Sequence, residues 1–209
     1  MNPIPHAASS KLMPALLCLA LAGCATHVPP RVQKCPMPYA RVAIVEFADR
    51  SPYPGTAEQF TQMLRDTLAE RTTTTDVVIV PRAVFGDDDP FLSGRISVDS
   101  LVRARRDYLA DAVIVGSLDS INPYRPPSIH LSLKLVETAG GTVPFEVSDG
   151  WDAGDSQVRK DIQTYYERNI GKDDCRLGPD IFLIAPHYYM RFVADQVVGS
   201  LTARLASLR

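Results

Sequence analysis

The segment that decides the fold is Leu109–Trp151, LADAVIVGSLDSINPYRPPSIHLSLKLVETAGGTVPFEVSDGW. Its first run, Ala112–Val115, is apolar at every position and fits a central strand covered on both faces. The run after the proline loop alternates. Ile129, Leu131, Leu133 and Leu135 share one face, while His130, Ser132 and Lys134 share the other. That period of two predicts a half-buried antiparallel strand. Pro123–Pro127 on one side and Gly140-Gly141 on the other supply turn chemistry. The segment therefore reads as a three-stranded meander, against which the preceding βα units must dock.

Those units are visible upstream. Arg41–Phe47 (RVAIVEF) is nearly continuous in apolar residues and predicts an internal strand. After the Pro- and Gly-containing loop Ala48–Gly55, a helix is expected from Thr56 to Arg71. Thr56 would be its cap and Gln59 the capping-box partner, with Phe60, Met63, Leu64, Thr67 and Leu68 facing the sheet. Asp76–Val80 predicts a second strand, stopped by Pro81. Ser97 suits the cap of a second helix whose inner side would carry Val98, Leu101, Val102 and Leu109. Beyond the meander, Asp155 opens a helix to Ile170 with Val158, Ile162, Tyr165 and Tyr166 inward. Gly171–Pro179 is a polar loop, Ile181–Ile184 a short apolar run, and Pro186 suits the first turn of a last helix. The expected fold is α/β: a mixed sheet of about five strands, ordered βαβαβββ, with carboxy-terminal helices packed on it. At 209 residues there is room for one domain, 39–209, with a sizeable core.

The amino terminus reads as an export signal. Lys11 precedes the apolar run Leu12–Ala22, too short to span a bilayer. It ends in Leu21-Ala22-Gly23-Cys24, which resembles the bacterial lipobox. That resemblance implies cleavage after Gly23, acylation of Cys24 and membrane attachment through the lipid. An ordinary signal peptide that happens to end at a cysteine is the alternative. Ala25 follows Cys24 where a sorting aspartate is absent, so the periplasmic face of the outer membrane is the expected location. Residues 24–38 hold Pro29, Pro30, Pro36 and Pro38 and predict an extended tether reaching ~45 Å.

Chemistry-bearing patterns are scarce. There is no phosphate loop, no dinucleotide fingerprint and no nucleophile elbow. His130 and His187 lie outside any ligand spacing, so no metal is expected. Asp87-Asp88-Asp89 lacks the spaced oxygens of a calcium loop and reads as a solvated turn. Glu46 and Asp49 flank the end of the first strand, where α/β sheets often bind ligands, yet loop solvation and turn capping explain them as well. Arg103, Arg105 and Arg106 read as a solvated helix face. With a formal net charge of −2 and no basic stripe, nucleic acid is not an expected partner. No catalytic or cofactor-binding residue is assigned.

Four segments, RVAIVEFADRS (41–51), VVIVPR (77–82), ADAVIVGSL (110–118) and LKLVETAGGTV (133–143), resemble the curli-secretion-subunit superfamily. That group includes the amino-terminal domain of the Tol β-propeller protein, the Pel polysaccharide lipoprotein and the lipoprotein activator of a penicillin-binding protein. The likeness covers Tyr39–Trp151 and the final helix. It implies a non-enzymatic envelope lipoprotein, an accessory of an export or secretion machine, with protein partners and a homo-oligomeric ring. A regulator of a peptidoglycan synthase is one alternative; an envelope hydrolase with an unrecognised carboxylate pair is another. The chain departs from the pore-forming members. Its inserts, Asp87–Gly94 and Gly154–Pro179, lack paired alternating segments of about ten residues suited to a barrel.

Cys35 and Cys175 remain once the signal is removed and Cys24 is lipidated. An oxidising compartment favours their pairing, with two independent thiols as the alternative. The bond would close a loop of about 140 residues, worth up to ~5 kcal/mol in the chain-entropy account. Intact mass after alkylation without reductant should show neither thiol modified; two alkylated thiols would rule the bond out.

Overall fold

The computed structural model describes residues 34–73, 75–85, 96–170 and 177–208. Cys24, Cys175 and Asp87–Asp89 lie outside them. Eight strands occur: β1 (Cys35–Pro36), β2 (Arg41–Val45), β3 (Ala48–Asp49), β4 (Thr72–Thr73), β5 (Asp76–Val80), β6 (Ala112–Asn122), β7 (Ser128–Glu137) and β8 (Phe145–Asp152). The helices are α1 (Thr56–Arg71), α2 (Val98–Tyr108), α3 (Ser156–Asn169), α4 (Ile181–Ile184) and α5 (Pro186–Ala206).

The main sheet runs β5-β2-β6-β7-β8, with β3 joined to β6. β2 pairs in parallel with both β5 and β6, and β6, β7 and β8 form the expected antiparallel meander. β1 and β4 make a separate small parallel sheet. The chain therefore joins the fold at Cys35, within the segment read as tether, and Met37 is already buried.

Handedness places the helices. The crossover from β2 to β5 moves one way along the sheet, and the crossover from β5 to β6 moves back past β2. Both being right-handed, their helices must lie on opposite faces. α1 packs with α3 and α5 on one face, over Val42, Ile44, Ile114, Leu118, Leu131, Leu133 and Leu135. α2 stands on the other, over a narrower cluster of Ala43, Val45, Val80, Val113 and Val115.

Two helix details differ from the sequence expectation. Thr56 is not the cap of α1. Gly55 takes that position at φ 82°, where glycine alone is unstrained, and the Thr56 hydroxyl instead donates to the Tyr53 carbonyl. Ser97 caps α2 as expected, accepting from the Ser100 amide at 3.1 Å. The inner side of α2 is nevertheless Ser100, Leu101 and Ala104, while Val98, Val102 and Leu109 face out. The apolar strip beneath α2 is only three strands wide and carries small side chains. From Ser117 of β6 onward the same face turns polar, with Ser132 and Lys134 of β7, so it has no room for a broad stripe.

Alternation along β7 is as the sequence predicts: Ile129, Leu131, Leu133 and Leu135 are buried, and His130 is exposed. A charge at Leu133 would be buried without a partner, at a cost of several kcal/mol, comparable with the whole stability of a domain. Leu133→Asp should abolish cooperative melting, whereas His130→Asp should melt within a few degrees of the native protein. A folded Leu133→Asp with unchanged Tm would contradict the register.

Candidate functional site

The ends of the parallel strands offer no open crevice. Glu46 accepts from the Arg82 amide at 3.2 Å, and its carbonyl accepts from the Arg82 guanidinium. Asp49 accepts from the amide and hydroxyl of Ser51, a local turn. Phe47 lies across Gly116, where a Cβ would overlap its ring. Both carboxylates thus serve structure, and the strand ends are closed by the chain's own side chains.

Polar groups gather instead on the uncovered face of the meander. β6 carries a bulge between Leu118 and Ser120, and before it the alternation of the strand runs Val113, Val115, Ser117 and Asp119 along that face. The Asp119 carboxylate accepts from Ser117 at 2.7 Å and from Ser132 at 2.8 Å, and Arg50 lies 3.5 Å away. Ser132 also meets Ser148 of β8 at 2.9 Å. Lys134 and Glu146 pair across the strands at 3.0 Å. His130 rests on Gly150, its partner in register, which leaves no space for a side chain at that position. The result is a flat surface of hydroxyls and fixed charges beside α2, suited to protein contact. His187 lies apart, exposed in the first turn of α5 and stacked on Tyr188 with ring centroids 4.2 Å apart.

The second polar group is buried in the helical layer. Arg71, at the end of α1, pairs with Asp195 of α5, whose side chain is 10% exposed. Burial pushes the Asp195 carboxyl above its ordinary range, and Arg71 pulls it back. The same burial pushes the neighbouring Tyr165 phenol up to about 12, helped by the Asp195 charge. A pocket of about 380 Å³ opens beside the pair, bordered by Tyr165, Phe182, Tyr188 and Arg191. Of the expected lipid and disulfide positions, Cys35 is half-buried in β1, and Cys24 and Cys175 lie outside the described residues.

Sequence reasoning missed Asp119, Arg50 and the Arg71–Asp195 pair. Asp195 carries a signal, being an acid inside the apolar run Phe192-Val193-Ala194-Asp195-Gln196-Val197. Asp119 carries one too, since period two from Val113, Val115 and Ser117 sets it on their face. Among the described residues no group of three or more His, Cys, Asp or Glu side chains is arranged to hold a metal, and no helix is long and apolar enough to cross a membrane.

No protein-family model matches this chain, and no curated protein matches it. Solved structures do. The PelC dodecamer from Paraburkholderia phytofirmans is 17% identical over 54% of this chain and 71% of that one, with a TM-score of 0.40. Lipoprotein GNA1162 from Neisseria meningitidis is 15% identical over 53% and 78%, with a TM-score of 0.37. The LpoB carboxy-terminal domain from Salmonella enterica is 15% identical over 60% and 86%, with a TM-score of 0.36. Each is a structure that this chain is similar to at that level.

Removing the cation isolates the cost of the buried acid. Arg71→Met should lower stability at pH 7 by about 3 kcal/mol. Asp195 has a raised pKa in the folded state, so the folded chain holds its proton to higher pH than the unfolded chain does. Its penalty is then full above the folded pKa and vanishes below the unfolded value of about 4. The gap in Tm between variant and native protein should therefore narrow on acidification. A gap of equal size at pH 4 and pH 7 would show that the lost stability is packing alone.

Proposed function

We propose that this chain is a lipid-anchored accessory protein on the periplasmic face of the bacterial outer membrane, an assembly component of an export or secretion machine. The observation that carries the reading is Leu21-Ala22-Gly23-Cys24, placed directly after an apolar export segment and ahead of a folded α/β domain. Acylation of Cys24 would supply several acyl chains, enough for stable anchoring where one would be marginal.

The distance from anchor to fold favours work close to the membrane. Only nine residues lie between Cys24 and Lys34, a reach of ~35 Å when fully extended. Such a tether suits a domain that assembles beside the bilayer better than one that regulates a distant cell-wall synthase. The open face of the meander supports a role through protein contact, since its charges and hydroxyls are fixed on a rigid sheet. Self-association belongs to the same reading, and a ring is the form that the family resemblance implies.

Cys24→Ala should abolish incorporation of labelled palmitate and leave the precursor at full length, with the protein lost from the outer-membrane fraction. Undiminished labelling of the variant would overturn the proposal. Affinity purification of the lipidated protein would then identify the machine: export components support the reading, and a penicillin-binding protein would replace it with the cell-wall alternative.

A further inference from the structure

The helix α2 is amphipathic in a sense that the single chain does not satisfy. Val98 is 74% exposed, Val102 53% and Leu109 67%. With Arg105 they occupy one flank, within about 60° of one another at 3.6 residues per turn. On the other flank Arg103 donates to the Val84 carbonyl at 3.1 Å, toward β5. On the near side Leu101 lies against the Gly141 turn. The apolar flank therefore looks toward the β7–β8 side, where Val143 is 48% exposed. The last residue of the stripe, Leu109, is held at φ 54° as the cap of the helix, a position that favours glycine. Leu109 thereby ends the helix, the Ala110 amide donating to the Ala104 carbonyl, and its side chain is left in solvent.

We propose that this flank is the contact through which two copies of the chain associate, α2 packing antiparallel against α2 of the second copy about a two-fold axis beside Val102. Two observations fix the occupant as a second copy. The stripe meets itself: reversal about an axis at Val102 sets Val102 against its counterpart and places Leu109 of the other copy less than one turn beyond the point facing Val98, as an isologous contact allows. The charges follow the same rule. α2 carries Asp99 in its first turn and Arg105 and Arg106 in its last. Antiparallel packing brings Asp99 to Arg106 of the second copy, and the opposed helix dipoles favour the same direction. Within one copy Arg106 meets only its sequence neighbour Asp107 on the exposed surface. The contact goes beyond the proposed function and stands whether or not Cys24 is acylated.

Sedimentation velocity of the purified full chain over a concentration series tests the contact. The native protein should pass from monomer to dimer. Val102→Glu should stay monomeric with its Tm unchanged, because the residue is exposed in the single copy. Asp99→Arg and Arg106→Asp should each weaken dimerisation by about tenfold or more, and the double variant should restore it. Treatment with a short bismaleimide should trap a dimer of Val102→Cys, against native protein and Arg65→Cys as controls. A native protein that is monomeric at every concentration would overturn the inference, as would unaltered association of Val102→Glu. A cross-linked ladder extending past the dimer would replace the two-fold contact with a head-to-tail one. Palmitate labelling reads the anchoring proposal separately, so the two can fail independently.

Discussion

The seat of Phe47 on Gly116 ties the layers of this domain together. Phe47 leaves the end of β2 and lies flat on β6 where a glycine removes the only side chain in its way. Its ring meets Phe60 of α1 edge-on at 5.5 Å, and its amide donates to the Thr61 hydroxyl at 3.1 Å. One residue thus fixes the spacing of two parallel strands and the height of the helix that crosses them. The same ring closes the strand ends, where an α/β sheet would otherwise present a ligand crevice. Glu46 and Asp49 bond to Arg82 and Ser51 in the loops beside it, in keeping with the loop and turn-capping reading of the sequence.

The handedness of the two crossovers then divides the molecule unequally. Three long helices share one face and bury a continuous core of β-branched, leucine and aromatic side chains. Among the described residues a single α-helix stands on the other, over β5, β2 and β6. The uncovered part of that face is polar because it stays in water, and it is rigid because the core below is closely packed.

The helical layer contains its own compromise. Asp195 sits in the core-facing stripe of α5, where its neighbours are Phe192, Val193 and Val197. Arg71 offsets its charge from the end of α1, so the two longest contacts of the layer are joined by an ion pair as well as by packing. Such a pair contributes little net stability against an apolar alternative, but its geometry allows only one register between α1 and α5. Burial of Tyr165 and Tyr189 in the same layer raises both phenols, which remain neutral across the physiological range.

The sequence by itself determined the fold class, the strand periods and the order of the elements. Alternation at Ile129–Leu135 and the continuous run at Ala112–Val115 depend only on which faces are wet, and that is written in residue type. The export signal and lipidation site expected at the amino terminus also rest on linear strings, which need no fold. Only the tertiary structure decided that Thr56 begins α1 without capping it, because the turn before it required glycine's left-handed backbone at Gly55. It alone joined Asp119 to Ser132 of the neighbouring strand, and it alone paired Arg71 with Asp195 across 124 residues of chain. The orientation of α2 is the clearest case. Periodicity established that Val98, Val102 and Leu109 share a face, but which face meets the sheet depends on the width of the apolar strip beneath, and that width is set by strands distant in sequence.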